Sequence, residues 1–298
     1  MRQYAYLQLF LVIPALTLIL TVVPGCPDKP AKDGGQAKDG GKDGGSGDKL
    51  GSKKSDPLTA KTYDGVIKGK VVYDGTSPVM KELTAVDGHE DKAKCHEGST
   101  KDPTWIVNKD NGVADVIVYL EAPAGKFFAL DEKQAKSYTN EPWIDQPFCL
   151  YEPQTVAIFA QYKTEDGKGH DTGNKFTIKN SAKVSHNTKI KGDGKANETE
   201  SHNLSAGDTK GVQQKIKFQR DLLPISCDKH SWMTGTLKTF EHPFFAVTGK
   251  DGTFEIKNVP VGVEVTVKTW HKDAADMSKT ETFKAGDNSV ELKVKAKS

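Results

Sequence analysis

From residue 64 to the C-terminus, apolar residues come in short runs that have the period or the composition of β-strands. Such runs lie at 66–73, 113–120, 245–256 and 263–270, and Asp-Gly pairs mark tight turns at or near them. Runs with helical periodicity are missing after the N-terminus. Short strands bounded by turn residues are typical of β-sandwiches and barrels. The pattern therefore predicts an all-β protein.

The N-terminus is apolar and ends at a cysteine. Residues 7–23 follow Arg2 and lead into Val23-Pro24-Gly25-Cys26. A small residue before Cys resembles the bacterial lipoprotein signal, which implies removal of residues 1–25 and lipidation of Cys26. An uncleaved anchor is one alternative, because about 20 apolar residues span a bilayer, and an ordinary signal peptide is another. Each places the folded part outside the cytoplasm, and a lipid anchor would hold it in the cell envelope, facing the periplasm or the exterior.

Residues 26–61 form a polar stretch in which Lys-Asp-Gly-Gly recurs at Lys32, Lys38 and Lys42. With little apolar surface to bury, such a stretch does not offset its ordering entropy, and a disordered linker is predicted. The whole chain carries 42 Lys and Arg against 40 Asp and Glu, a formal net charge of +2. Because the lysines are scattered among nearly equal numbers of acidic residues, with no basic arm, we do not expect nucleic acid as a partner.

The densest group of metal-ligating side chains lies at 227–233, directly after the apolar run 222–225. Cys227, His230 and Met233 fall within these seven residues, and His186-Asn187 lies 41 residues before Cys227. Two imidazoles and a thiolate, with a weak thioether, are the ligand set of a blue-copper electron-transfer site. The alternative is a buried cysteine beside a chance histidine, with Trp232 and Met233 as core residues.

The region around His186-Asn187 resembles that of plastocyanin and pseudoazurin. A strand-like run at 176–180 ends in an asparagine, and the His-Asn pair follows. The resemblance implies copper ligation by His186, Cys227 and His230, with Met233 as an axial ligand. Two residues separate His230 from Met233 where those cupredoxins usually have four. A water or a carbonyl is therefore an alternative axial ligand.

The flanking strands are similar to a carboxypeptidase regulatory-like, transthyretin-like β-sandwich. Its opening Gly-x-Val strand is present at 69–71, and its Thr-x-x-Asp-Gly-x-Phe-x-Ile-x-x-Val-Pro-x-Gly signature at 248–262. We therefore expect Greek-key β-sandwich architecture, with regulatory-like halves at 62–149 and 241–298. A cupredoxin-like unit at 150–240 is expected to be inserted between these halves or fused beside them, and the alternative is that adjacent strands merge both parts into one larger β structure.

A further resemblance covers most of 64–272, to bacterial envelope proteins described as plastocyanin-like or methylamine-utilization-like. It is carried by Cys-x-x-His-x-Trp-Met at 227–233, His-Pro-Phe-Phe-Ala-Val-Thr at 242–248, and Trp270-His271. The Asp-Gly-x-Phe and Val-Pro-x-Gly motifs lie between the last two. The resemblance implies an exported copper protein that carries single electrons to or from a redox partner protein in the envelope.

The four cysteines divide into three groups. If Cys26 carries lipid and Cys227 binds metal, Cys95 and Cys149 remain. An exported compartment permits a disulfide between them, and two buried free thiols are the alternative.

The other histidines have weaker claims. His202-Asn203 competes with His186-Asn187 for the first ligand position. His242 and His271 are candidates for a second metal pair, or for hydrogen bonds to backbone at a domain junction. The remaining histidines lie among charged residues and are predicted to be solvated loop residues: His89, His96 and His170.

Two rival functions stay open. One is a β-sandwich lipoprotein without metal that binds a protein or glycan through its regulatory-like part. The other is a copper enzyme of the nitrite-reductase kind, which needs a second copper held by histidines alone. The remaining histidines do not assemble into such a site, so we expect no enzymatic activity.

Overall fold

The structure, a computed structural model, describes residues 55–138 and 140–297. Nearly all regular structure in these residues is β-strand, which confirms the predicted all-β class. The strands are β1 Asp56–Leu58, β2 Gly65–Tyr73, β3 Ile117–Glu121, β4 Lys126–Phe128, β5 Trp143–Ile144, β6 Thr155–Phe159, β7 Gln161–Lys163, β8 Gly169–Asp171, β9 Lys175–Asn180, β10 His186–Ile190, β11 Glu200–Leu204, β12 Asp208–Lys215, β13 Leu223–Ser226, β14 Thr234–Phe240, β15 Phe245–Val247, β16 Thr253–Val259, β17 Glu264–Trp270, β18 Met277–Thr282 and β19 Gly286–Val294. The helical elements are a 3-10 turn at Thr84–Val86, α1 Lys92–Cys95 and α2 Glu132–Ser137.

A first sandwich is built from the strands at the two ends of the described chain. One sheet has the order β15-β3-β17-β18 and the other β16-β2-β19. Alternate residues of β2, β17 and β19 are buried, as expected for strands with one face on a core. The two sheets share one hydrophobic core, whose members include Ile67, Val71, Leu120, Phe244, Phe254, Val267 and Leu292.

The Asp-Gly turn before β16 requires its glycine. Gly252 has φ of +81°, and a Cβ there would lie 2.6 Å from the Val71 carbonyl oxygen. The Asp251 carboxylate accepts hydrogen bonds from the Thr253 backbone N–H and hydroxyl, which closes the turn. The turn thereby brings β16 back alongside β2.

A second sandwich lies between these strands in the sequence. Its larger sheet has the order β11-β10-β13-β14-β6, and its smaller sheet β12-β9-β5. Most pairs are antiparallel, but β14 pairs with β6, and β5 with β9, in parallel. The core between the sheets includes Ile144, Phe176, Ile178, Ile190, Leu204, Ile225, Met233 and Leu237.

The membership of the two cores departs from the expected segment borders. Although they precede residue 150, four residues pack in the second core: Val86, Cys95, Ile144 and Cys149. Conversely, Phe159 and Tyr162 lie after residue 150 in the sequence but pack in the first core. For Ile144 the reason is that β5 pairs with β9 of the second sandwich, and for Cys95 it is the disulfide to Cys149. The division into a regulatory-like and a cupredoxin-like domain stays a prediction.

Residues 84–98, which we call the cap segment, follow β2 of the first sandwich in sequence but pack against the second. They contain the 3-10 turn and α1, and Val86 and Cys95 are their buried anchors. A disulfide joins Cys95 to Cys149. The segment is thus attached to the second sandwich by both apolar packing and a covalent bond.

The signal peptide expected at 1–25, the lipidation site Cys26 and most of the linker expected at 26–61 lie outside the described residues. Within the last part of that linker, however, β1 pairs with β4, and Leu58 is buried in the first core. The ordered chain therefore reaches back to Asp56. In the portion of the chain that the structure describes, no helix combines the length and the hydrophobicity needed to cross a bilayer.

Candidate metal centre

Three of the predicted ligands come together at one end of the second sandwich. His186 is the first residue of β10, Cys227 follows β13, and His230 lies in the loop from β13 to β14. A nitrogen of each imidazole and the Cys227 sulfur all lie within 4.8 Å of one another. The relative exposure of each of these residues is 3% or less. The structure therefore gathers a His-Cys-His donor set in a dry environment.

The loop that carries Cys227 and His230 is held in a tight turn by its own backbone. The Met233 N–H donates to the His230 carbonyl at 2.9 Å, and the Cys227 N–H donates to the Met233 carbonyl at 3.3 Å. The antiparallel pairing of β10 with β13 places Lys189 opposite Ser226. His186 consequently lies beside the loop that begins at Cys227.

Asn187 ties β10 to this loop. Its Oδ1 accepts from the Asp228 backbone N–H at 2.7 Å and from the Cys227 thiol at 3.3 Å. Its Nδ2 donates to the Asp228 carboxylate at 2.9 Å. Asn187 directly follows His186 in the chain, and its side chain bonds to both Cys227 and Asp228. These bonds fix the position of His186 relative to Cys227.

Asn180 shapes the loop that leads into His186. This side chain is fully buried at the end of β9. Its Nδ2 donates to the Val184 and Ser205 carbonyls, each at 2.9 Å, and its Oδ1 accepts from the Ala182 N–H at 3.2 Å. The residue therefore supplies hydrogen bonds that the buried backbone of this loop needs.

The imidazoles of His186 and His230 face each other through their Nδ1 atoms. The Nδ1 atoms of His186 and His230 are 3.0 Å apart, and the Cys227 sulfur is 3.8 Å from the latter. Their outer nitrogens have acceptors: His186 Nε2 lies 2.7 Å from the Phe148 carbonyl oxygen, and His230 Nε2 lies 3.1 Å from Asp91 Oδ2. A carbonyl only accepts hydrogen bonds, so we assign the His186 proton to Nε2. A carboxylate is also an acceptor, so we assign the His230 proton to Nε2 as well.

This assignment leaves two Nδ1 lone pairs facing each other beside a sulfur. Two acceptors at 3.0 Å have no proton to share when both rings are neutral. Burial, together with the nearby His230 ring, lowers the pKa of His186 to about 4. Burial, and then the nearby His89 ring, lowers the pKa of His230 as well. Both imidazoles are therefore neutral at neutral pH, and the donor set would fit a soft-to-borderline cation such as copper or zinc.

Trp232 and Met233 cover the inner side of the loop. Trp232 donates from Nε1 to the Cys149 carbonyl at 3.0 Å, and its ring meets that of His230 edge-on at 5.2 Å. Met233 is fully buried in the second core. An axial ligand role for Met233 stays a prediction.

The cap segment covers the outer edge of His230, and the sequence pattern did not indicate this. Besides Asp91, the ring of His89 lies 4.5 Å from that of His230, centroid to centroid. The prediction that His89 is a solvated loop residue is therefore wrong. Its only sequence signal was a His-x-Asp pair shortly before Cys95, a cysteine with a predicted partner.

The competing histidines lie elsewhere. His202 lies on β11, which pairs with β10, but its ring bonds to Gln214 Oε1 of β12 at 3.0 Å. His242 Nδ1 accepts from the Phe244 N–H at 3.2 Å, and His271 bonds to the Thr104 carbonyl at 2.8 Å. Among the described residues, no group of potential metal ligands includes any of these three histidines.

Comparison with known proteins gives only distant similarities. No protein-family model matches the chain, and no curated protein sequence matches it. A Cu(I) amicyanin structure is 12% identical with a TM-score of 0.26, over 41% of this chain and 98% of amicyanin. A purple cupredoxin from Nitrosopumilus maritimus is 15% identical with a TM-score of 0.22, over 34% of this chain and 100% of its own.

A copper-containing nitrite reductase from Thermus scotoductus SA-01 is also similar to part of this chain. It is 12% identical with a TM-score of 0.27, over 42% of this chain and 25% of the reductase. TM-scores this far below 0.5 decide nothing about the site, which rests on its own contacts. The resemblance of the first sandwich to carboxypeptidase regulatory-like domains stays a prediction.

Proposed function

We propose that this protein is an exported, lipid-anchored carrier of single electrons with one copper in a cupredoxin-like second sandwich. The observation that supports this most directly is the buried meeting of two Nδ1 lone pairs with the Cys227 sulfur. Two imidazoles and a thiolate are the strong ligands of blue-copper sites. We propose no enzymatic reaction for the protein.

His186, Cys227 and His230 would hold the metal, and Met233 would be its weak axial ligand. Copper, when bound, supplies a one-electron couple whose potential depends on the surroundings of the thiolate. The Asn187 side chain and the closed loop hold the donors in place before any metal binds. Such rigidity suits electron transfer, because the protein then rearranges little between the two oxidation states.

The first test is addition of Cu(II) to the metal-free protein. We expect one equivalent to bind and to produce the intense thiolate-to-copper charge-transfer band in the visible region. Cys227→Ser removes the thiolate and should abolish the band outright. Ser231→Ala is the matched control, because this exposed residue lies in the same loop. Equal copper affinity in the native and Cys227→Ser proteins would contradict the proposal and favour a partner-binding sandwich without metal.

The location is proposed from the N-terminal sequence. The disulfide between Cys95 and Cys149 supports it, because such bonds persist in oxidising compartments. Mass spectrometry of the mature protein should find a chain that starts at Cys26 and carries acyl groups. An intact Met1 N-terminus would contradict the lipid anchor but not the copper site. The partner would be another redox protein of the envelope.

A further inference from the structure

We propose that Asp91 is a positioning residue that fixes His230 and transmits negative charge to the metal through that imidazole. This inference rests on the proposed copper site. His230 Nε2 lies 3.1 Å from Asp91 Oδ2, and the imidazole is fully buried while the carboxylate is 30% exposed. A metal-binding histidine whose other N–H donates to a carboxylate is a recurrent arrangement that sets ring orientation and raises ligand basicity.

The backbone holds Asp91 in place for this contact. Asp91 is the N-cap residue of α1, and its carbonyl accepts from the Lys94 N–H at 2.8 Å and the Cys95 N–H at 3.0 Å. Cys95 is in turn linked to Cys149. The carbonyl of Phe148, the residue before Cys149, accepts the His186 Nε2–H. The outer partners of both histidines are therefore connected through one disulfide.

His89 completes the cap, and with Asp91 and His230 it forms a second group of potential metal ligands. Its Nδ1 accepts from the Asp91 backbone N–H at 3.1 Å, and its Nε2 lies 3.1 Å from the Lys229 carbonyl oxygen. With both nitrogens engaged, its ring packs against His230 as a cover. Of the two cap residues, Asp91 is therefore the one whose side chain acts on the His230 nitrogen.

The two candidate ligands consequently differ in what their outer nitrogens contact. His186 donates to a neutral backbone carbonyl, whereas His230 donates to a carboxylate. A carboxylate partner makes the imidazole a stronger donor and favours the more highly charged ion. Asp91 should therefore stabilise Cu(II) relative to Cu(I) and lower the reduction potential.

Asp91→Asn tests this with a side chain of the same shape and no charge. We expect Cu(II) binding to weaken by about 10–100-fold. If the loss falls on Cu(II) alone, each factor of ten raises the one-electron potential by about 59 mV. Asp91→Glu keeps the charge and should lie between the native protein and Asp91→Asn in both quantities. Circular dichroism of each metal-free variant checks that it is folded.

Asp87→Asn is the matched control. Asp87 also bonds to a histidine, His96, at 3.0 Å, and it lies in the same cap segment. Both members of that pair are exposed, and neither touches the metal-ligand group. We expect native affinity and potential for this variant.

Three results would overturn the proposal. If Asp91→Asn matches Asp87→Asn in copper affinity and potential, the charge of Asp91 has no effect on the metal. If the native protein binds a second metal equivalent that Asp91→Asn loses, Asp91 is itself a ligand. In both cases a native charge-transfer band would leave the copper site standing. If the native protein binds no copper, this proposal and the proposed function are both wrong.

Discussion

The two sandwiches of this protein are similar in architecture but differ in how their buried polar side chains are arranged. Next to strands of the first sandwich, the buried Thr248 hydroxyl donates to the Val113 carbonyl at 2.7 Å, and the buried His271 bonds to the Thr104 carbonyl at 2.8 Å. The second sandwich also buries polar side chains, among them Asn180, His186, Asn187, Thr188 and His230. A buried polar group costs free energy unless it is hydrogen-bonded. The difference is that in the second sandwich two of these side chains, His186 and His230, face each other beside Cys227 and form a group of potential metal ligands.

Strands β10 and β2 illustrate this difference. In β10, four of five residues are buried, including the histidine and the asparagine of the site. In β2, buried positions alternate with exposed ones, and the buried side chains are apolar.

The largest expected effect is loss of stability from deleting an aromatic side chain in either core. Phe244→Ala in the first core and Phe176→Ala in the second should each lower the free energy of unfolding by about 3–5 kcal/mol. Both side chains are fully buried. Urea unfolding of the metal-free proteins measures this. Copper titration should distinguish the two variants, because only Phe176→Ala should weaken copper binding. Equal weakening in both variants would contradict the assignment of the site to the second sandwich.

The next effect concerns the choice of histidine. His186→Ala should weaken copper binding by more than about 100-fold, since loss of an outer partner alone typically costs about 10–100-fold. His202→Ala is the control on the adjacent strand and should leave affinity unchanged, because its ring bonds to Gln214. Isothermal titration with Cu(II) measures both. The reverse pattern would show that the first ligand is His202.

A smaller effect should come from the contact between the sandwiches. The Asp115 carboxylate, which precedes β3, accepts from the Gln154 backbone N–H at 3.3 Å. Burial raises the pKa of this group to about 6. Because the folded-state pKa lies above the unfolded one, its contribution to stability is fully present below about pH 4 and is lost as pH rises through about 6.

Asp115→Asn removes that loss. The substitution also suits the left-handed backbone at this position, where φ is +60°. The variant should be more stable than the native protein by about 2–3 kcal/mol near pH 8, with the difference vanishing near pH 4. Urea unfolding at the two pH values tests this. A difference that is independent of pH would show that the carboxylate is not the cause.

The smallest effect is expected for Met233→Leu. The two side chains have similar volumes, so the metal-free protein should lose less than about 1.5 kcal/mol of stability. Copper should remain bound, and the reduction potential should shift because an axial thioether is a long, weak ligand. Protein-film voltammetry measures this. An unchanged potential would indicate that a water or a carbonyl holds the axial position.

Much of the site follows from local spacing. Cys227, His230 and Met233 lie in one loop of seven residues, so their proximity hardly depends on the rest of the fold. The all-β class was equally accessible, because strand alternation and Asp-Gly turns are local properties. The borders between the segments could not be predicted in this way. Val86 and Cys95 belong to the second core, although they lie among residues of the first sandwich in the sequence.

Local sequence is enough to predict that this chain forms strands and that one loop carries a thiolate and an imidazole. The tertiary structure settles which of two His-Asn pairs meets that loop, through the register of β10 against β13. It also decided that Asp91 reaches His230 across 139 residues of chain. Contacts between such distant segments depend on the free energy of packing whole elements together, which no short stretch of sequence encodes.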